Sequence, residues 1–370
     1  MAGPTPIYVD PAINAGSGIG TVGDPFGDLQ YGLDRQGTDY TRDAVDGNQF
    51  VLTPGTPEIL TGTLGIGAYG VPTQAAPLVV IGASGFIEGT GADEQAAIDG
   101  NGNAIWNNAT QDGIHFINLK MYDAGVGNIA LLFDRYCSLQ DCEIYGSNLA
   151  GVFFDGFSTM AYGNFIHDTE TYGISSAQYM RENLVMNCAG NQIRPSSQCF
   201  MDRNIIYVAN DSDAQAINLL GSTVYNITNN TMEINGSNQQ LVNFPSNIYA
   251  DGSTMIGNVI TQTEIQHVSA FGYYFPTGAD KLHHFRNNYS HNLPAGREQF
   301  PVDIDEVTIG GAENTIVLAS DPFVRQGSPT WTNRRRYWAP RNISTLWETG
   351  AGAIAAVPGP IIVPSFRKVR

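Results

Sequence analysis

Lysine is almost missing from this chain: among 370 residues only Lys120, Lys281 and Lys368 occur. Charged residues make up just 14% of the sequence, and the 35 acidic side chains outnumber the 18 Lys and Arg, for a net charge of −17. Binding to a phosphate backbone needs clustered positive charge, so nucleic acid is not an expected partner. The one basic run, Arg334-Arg335-Arg336, stands in a locally aromatic tail. Long apolar runs are missing as well. No stretch approaches the roughly 20 residues of a membrane span, and the opening residues, Met1 to Pro6, carry neither a positive nor an apolar leader segment. Neither a membrane partner nor a secretory signal is therefore expected. Four cysteines are too few for a disulfide framework. Cys137, Cys142 and Cys199 fall in apolar segments and read as small buried hydrophobes.

Glycine, at 42 residues, and proline, at 19, are plentiful. Both break helix interiors, which excludes a helical bundle. Apolar residues at 42% suffice to fill a core.

The chain repeats itself. Beginning at residue 113, a polar or small residue, often Asn, is followed closely by an apolar one. Aligned on Leu119, Cys142, Asn164, Asn183, Asn204, Asn230, Asn258 and Asn288, the copies are spaced 23, 22, 19, 21, 26, 28 and 30 residues apart. A second apolar column follows each anchor: Ile129, Val152, Ile174, Ile193, Ile217, Val242 and Val268. The period lies below that of propeller blades, and the leucine-rich signature is missing. One coil of a parallel β-helix fits it, with short strands pairing to their equivalents in the coils above and below. At about 4.8 Å per coil, roughly eleven coils make a rod of about 50 Å. Met121, Ile144, Ile166, Val185, Ile206, Met232 and Ile260 should then stack inside. The Asn anchors should occupy tight corners and form an amide ladder. Ala130, Phe153, Ser175, Arg194, Asn218, Asn243 and Ser269 should point outward.

Solenoid ends expose strand edges and need caps. Residues 1–48 supply a strand at Pro6-Ile7-Tyr8-Val9-Asp10, a Gly-rich loop, and an amphipathic helix expected to start at Asp24 with Phe26, Leu29 and Leu33 on one face. The β-helix is expected over 49–320. Residues 321–370 lose the period and read as an irregular cap or attachment segment.

Together, Tyr8-Val9-Asp10-Pro11, Gly16-Ser17-Gly18, Asp24-Pro25-Phe26-Gly27-Asp28-Leu29-Gln30, Asp99-Gly100-Asn101-Gly102 and the Asn coils resemble right-handed parallel β-helix proteins of the pectin-lyase-like superfamily. The resemblance implies an all-β solenoid. That fold hosts both virion proteins and polysaccharide lyases, so function must come from a site.

The first expectation is a non-enzymatic virion protein, a capsid decoration or cement protein or a tail spike, reaching the exterior after lysis. It would attach to virion proteins or to itself as a homo-oligomer, a trimer among the options, and hold a host-surface glycan. Its binding residues would be Trp331, Arg334, Arg335, Arg336, Trp338 and Trp347, with Phe271, Tyr273 and Tyr274. It needs no metal or cofactor. The alternative is a polysaccharide lyase on acidic glycans, with Arg194, Asp155, Asp168 and Glu170 as its catalytic patch and Ca²⁺ as its ion. The hydrolase strings Gly-His-Gly and Arg-Ile-Lys and the lyase string Trp-x-Asp-His do not occur.

Overall fold

A computed structural model gives the architecture. It describes residues 6–40, 47–66, 69–83, 95–107, 110–125, 127–195, 198–208, 215–220, 224–234, 240–243, 254–262, 271–274, 284–293, 299–300, 316–330, 332–341 and 351–354.

Among the described residues the strands form three sheets of 11, 11 and 9 strands, in which every neighbouring pair is parallel and each strand pairs with its counterpart in the coils before and after it. The first sheet begins with Pro6–Val9 and includes Ser138–Gln140, Met160–Tyr162, Tyr179–Arg181 and Cys199–Asp202; the second includes Lys120–Tyr122, Glu143–Tyr145, Phe165–His167 and Leu184–Met186; the third includes Ile129–Phe133, Ala150–Phe154, Tyr172–Ser175 and Ile193–Arg194. This is the expected parallel β-helix.

The interior follows the period-two rule for strands, in which alternate side chains share a face. In the second sheet Ile144 pairs with Ile166, Ile166 with Val185, Val185 with Ile206, Ile206 with Met232 and Met232 with Ile260, all fully buried. The second apolar column holds from Val152 to Val242, but its first member is corrected: Leu131, not Ile129, stands opposite Val152. Both residues are apolar and two apart, so periodicity alone cannot choose between them. The same correction buries Ala130 and puts Leu132 beside Phe153. Val268 and Ser269 lie outside the described residues, and Tyr273 takes the register position after Val242.

The asparagine ladder is continuous. Nδ2 of Asn164 donates to Oδ1 of Asn183 at 2.9 Å, and the pattern repeats through Asn204, Asn230, Asn258 and Asn288. Each inner rung is complete. Asn183 Oδ1 accepts from the amide and Nδ2 of Asn164, while its own Nδ2 donates to Asn204 and to the Ala161 carbonyl. Such saturation is what permits fully buried amides. The left-handed backbone lies one residue earlier than expected, at Gly163, Glu182, Arg203, Asn229, Gly257 and Asn287. At Gly163, φ is +67° and an added Cβ would stand 2.3 Å from Asp141 Oδ1, so glycine leaves room for that carboxylate.

At the N-terminal end the helix is shorter than expected. α1 spans Leu29–Asp34 and is capped by Asp28, whose side chain accepts from the Tyr31 amide. Asp24 to Gly27 is extended because Phe26 bridges Val9 in parallel. Phe26, Leu29 and Leu33 are nevertheless all buried, as the apolar face required.

Candidate functional site

The outer face of the third sheet carries Phe153, Ser175 and Arg194 in register, and the pairing of Ile193 with Ile217 sets Asn218 beside Arg194. Ser175 holds its expected outward register but is covered by its neighbours, and its hydroxyl donates to the Arg194 carbonyl at 3.3 Å. Arg194 is half-buried, with its guanidinium 4.6 Å from the centroid of the Tyr172 ring. A cation over a ring face is held in place without being neutralised.

The charge state of that contact sets Arg194 apart. Arg35 pairs with Asp39, Arg135 with Asp112, Arg181 with Glu182, Arg203 with Glu182 and Asp202, and Arg325 with Glu233. Among the described residues no carboxylate lies within ion-pair distance of Arg194. In a chain of net charge −17, a half-buried arginine without a counter-ion is a site ready for an anion.

The three carboxylates expected beside it are placed elsewhere. Asp155 follows the C-terminal end of Ala150–Phe154, whereas Asp168 and Glu170 precede the N-terminal end of the neighbouring strand Tyr172–Ser175. Parallel pairing puts them at opposite ends of the sheet, on the order of 15 Å apart for strands of this length. Asp168 sits at a left-handed corner, with Oδ2 2.7 Å from His167 Nδ1. The four groups therefore do not form one cluster.

The second sheet carries an array that the sequence reading missed. Glu143 is nearly buried on its outer face, with Oε2 3.9 Å from Lys120 Nζ and Oε1 3.2 Å from His167 Nε2. Alongside it the rings of Tyr122, Tyr145 and His167 stack at 5.3 and 5.1 Å. Burial and the charges of Glu143 and Asp99 push the Tyr145 phenol up to about 12. The signal was present in the sequence. Residues one and three places after the anchors Leu119, Cys142 and Asn164 are Lys120, Glu143 and Phe165, and Tyr122, Tyr145 and His167. Here the opposite charges answer one another, and the array spends its electrostatics internally.

Other chemistry is limited. All four cysteines are free and buried, and burial pushes Cys137 and Cys188 up to about 12, so thiolate reactivity is disfavoured. His115 Nδ1 lies 2.7 Å from Ser138 Oγ, but burial pulls the imidazole down to about 4. Among the described residues no group of three or more His, Cys, Asp or Glu is arranged to hold a metal ion, and no helix is long and apolar enough to cross a membrane.

Of the expected attachment residues, Trp338 is turned inward. It is fully buried and its Nε1 donates to Glu233 Oε2 at 2.6 Å. It packs with Phe323, Ala351 and Ala353 over Leu184, Ile205, Tyr207, Val259 and Tyr289 on the outer face of the second sheet. Trp338 is thus corrected from a partner contact to an internal one, because its own chain offers both an apolar bed and an acceptor for its N–H. Arg334, Arg335 and Arg336 open the short helix α2, Arg334–Tyr337, with Arg335 and Arg336 exposed. Burial pushes Asp141 up, while a hydrogen bond from Gln140 and the charge of Arg334 pull it back. Trp331 and Trp347 lie outside the described residues; Phe271, Tyr273 and Tyr274 are placed as backbone on strand Phe271–Tyr274 of the third sheet.

Comparison with protein-family models and with curated proteins returned no match. Among solved structures, the fold is similar to the crystal structure of pectate lyase Pel9A, at 13% sequence identity and a TM-score of 0.60, covering 95% of this chain and 92% of that one. At that identity the likeness establishes the right-handed parallel β-helix fold alone and leaves the chemistry to the side chains.

Proposed function

We propose that this chain is a carbohydrate-active β-helix protein that engages acidic polysaccharide on the outer face of its third sheet, with Arg194 receiving a uronate carboxylate. The observation that carries the reading is the half-buried guanidinium resting on Tyr172, with no carboxylate of the described residues within ion-pair distance. The reaction it suits is β-elimination. Solvent hydroxide removes the proton α to the carboxylate, the freed C–H electron pair forms the C=C bond, the β C–O bond breaks and the departing oxygen takes its proton from water. The Arg194 guanidinium offers five N–H donors and no acceptor, so its part is to neutralise the carboxylate and acidify the α proton. The lyase fold of the structural neighbour supports the same class of chemistry.

The test is incubation of the purified protein with polygalacturonate, alginate and a neutral glucan. Binding is followed by calorimetry and unsaturated product by ultraviolet absorbance. The uronate polymers should bind and yield product, and Arg194→Ala should lower kcat/KM about a hundredfold, in keeping with one lost charge-assisted contact. Arg194→Lys should restore part of it. Uronate binding without product would transfer the site to the virion reading, in which the β-helix only holds a surface glycan. Failure to bind any uronate would end the proposal.

A further inference from the structure

Among the described residues the exposed aromatic side chains are Phe157, Tyr179 and Phe200, at 46%, 49% and 41% of their full exposure. They fall on three consecutive coils. Tyr179 and Phe200 are register partners on the first sheet, with rings 5.4 Å apart and 5° from parallel. Met160 is the register partner of Tyr179 on the other side, and Phe157 precedes it by three residues at the corner, against Tyr136 at 5.3 Å. The three rings thus mark a stripe along one edge of the rod, about two coil spacings or 10 Å long.

Charge along this stripe differs from that of the molecule. On one flank Arg181 lies 3.3 Å from Glu182 and 3.5 Å from Asp202, and Arg203 lies 3.9 Å from both carboxylates. On the other, Arg135 pairs with Asp112 at 3.1 Å and Asp134 at 3.8 Å, with its guanidinium 5.6 Å from the Phe157 ring centroid. Three guanidinium groups thus face four carboxylates, close to balance in a chain of net charge −17.

We infer that this stripe is the surface through which two copies of the chain associate about a two-fold axis. Two strongly acidic rods repel each other over most of their surface, and the repulsion is weakest where the charge is balanced locally. An isologous contact brings the same patch from both copies, and a quartet holding both signs offers each charge an opposite partner. Exposed Tyr and Phe with flanking Arg match the composition of interface hot spots. The inference does not depend on the activity proposed for the third sheet.

Sedimentation velocity of the full chain over a range of concentrations tests it. A reversible dimer is expected, and the double variant Tyr179→Ser/Phe200→Ser should raise its dissociation constant at least about a hundredfold with an unchanged melting temperature. Arg181→Glu leaves the aromatic pair in place and should weaken the dimer by charge alone, in a salt-dependent way. A wild-type chain that stays monomeric, or an oligomer indifferent to both variants, would overturn the inference. So would a monomer whose aromatic variants instead lose binding to polygalacturonate or a neutral glucan, since that would make the stripe a glycan platform.

Discussion

The outer face of the second sheet has two halves built on the same backbone. Over Lys120, Tyr122, Glu143, Tyr145 and His167 it is polar and carries the Lys120–Glu143 ion pair, the Glu143–His167 contact and a ring stack. Over Leu184, Met186, Ile205, Tyr207, Val259 and Tyr289 it is apolar and lies beneath Phe323, Trp338, Ala351 and Ala353. Phe165 marks the border, stacked on His167 at 4.1 Å on one side and packed against the covered cluster on the other. Within the covered half stands fully buried Glu233, satisfied by Arg325 and by the Trp338 indole. Backbone pairing is the same in both halves, so side chains alone decide whether a coil faces outward or is covered by its own tail.

The sharpest way to break this contrast is Trp338→Ala. It removes a large buried ring and a donor to Glu233, and should cost about 4 kcal/mol. Chemical denaturation should register that loss, and binding of a hydrophobic dye should report the uncovered bed of Leu184, Ile205 and Tyr207. An unchanged midpoint would mean that the tail adds nothing to the fold.

Asn204→Ala strikes the ladder beneath both halves. The Asn183 amide and Nδ2 lose their acceptor, and the Met180 carbonyl loses a donor. A loss of about 3 kcal/mol is expected in denaturant unfolding. A cost near zero would show that the coils hold by apolar stacking alone.

A pH effect of on the order of 2 kcal/mol is expected from Glu58, beside the N-terminal cap. Burial, opposed by the bond from the Leu29 amide, pushes its carboxyl up to about 7. A carboxyl raised in the folded state favours the protonated form. Its contribution is therefore full at low pH and declines as pH rises from the ordinary value of 4.5 through about 7. Glu58→Gln keeps an acceptor for Leu29 and should flatten that slope in melting temperature. A slope that survives the substitution would assign it to another group.

The smallest effect is expected in the open half. Glu143→Gln exchanges the centre of the Lys120–Glu143–His167 array for a neutral side chain of the same shape, and should change stability by less than about 1 kcal/mol. A cost equal to that of Trp338→Ala would make the array a structural element of the same rank as the tail.

Much of this was readable in the chain because a solenoid repeats one local problem. Ile144, Ile166, Val185 and Ile206 recur at matching positions, as do the Asn anchors, and each copy reinforces the reading of the others. The open array was readable too, one and three residues after Leu119, Cys142 and Asn164, once the register is known. The Ile129-for-Leu131 choice was not, since both satisfy the alternation. Nor was the place of Trp338, which belongs to no repeat and whose acceptor Glu233 lies 105 residues away.

By itself, then, the sequence determined the parallel coils, their stacked interior and the amide ladder, because each depends on contacts between equivalent positions about one period apart. Only the tertiary structure decided which outward faces remain available. The apolar coils after Leu184 are covered because the tail folds back over them. Arg194 meets no carboxylate of the described residues because Asp168 and Glu170 are carried to the other end of the strands and Asp155 lies two coils away. Periodicity sets the direction in which a side chain points; what meets it there depends on the path of segments that do not repeat.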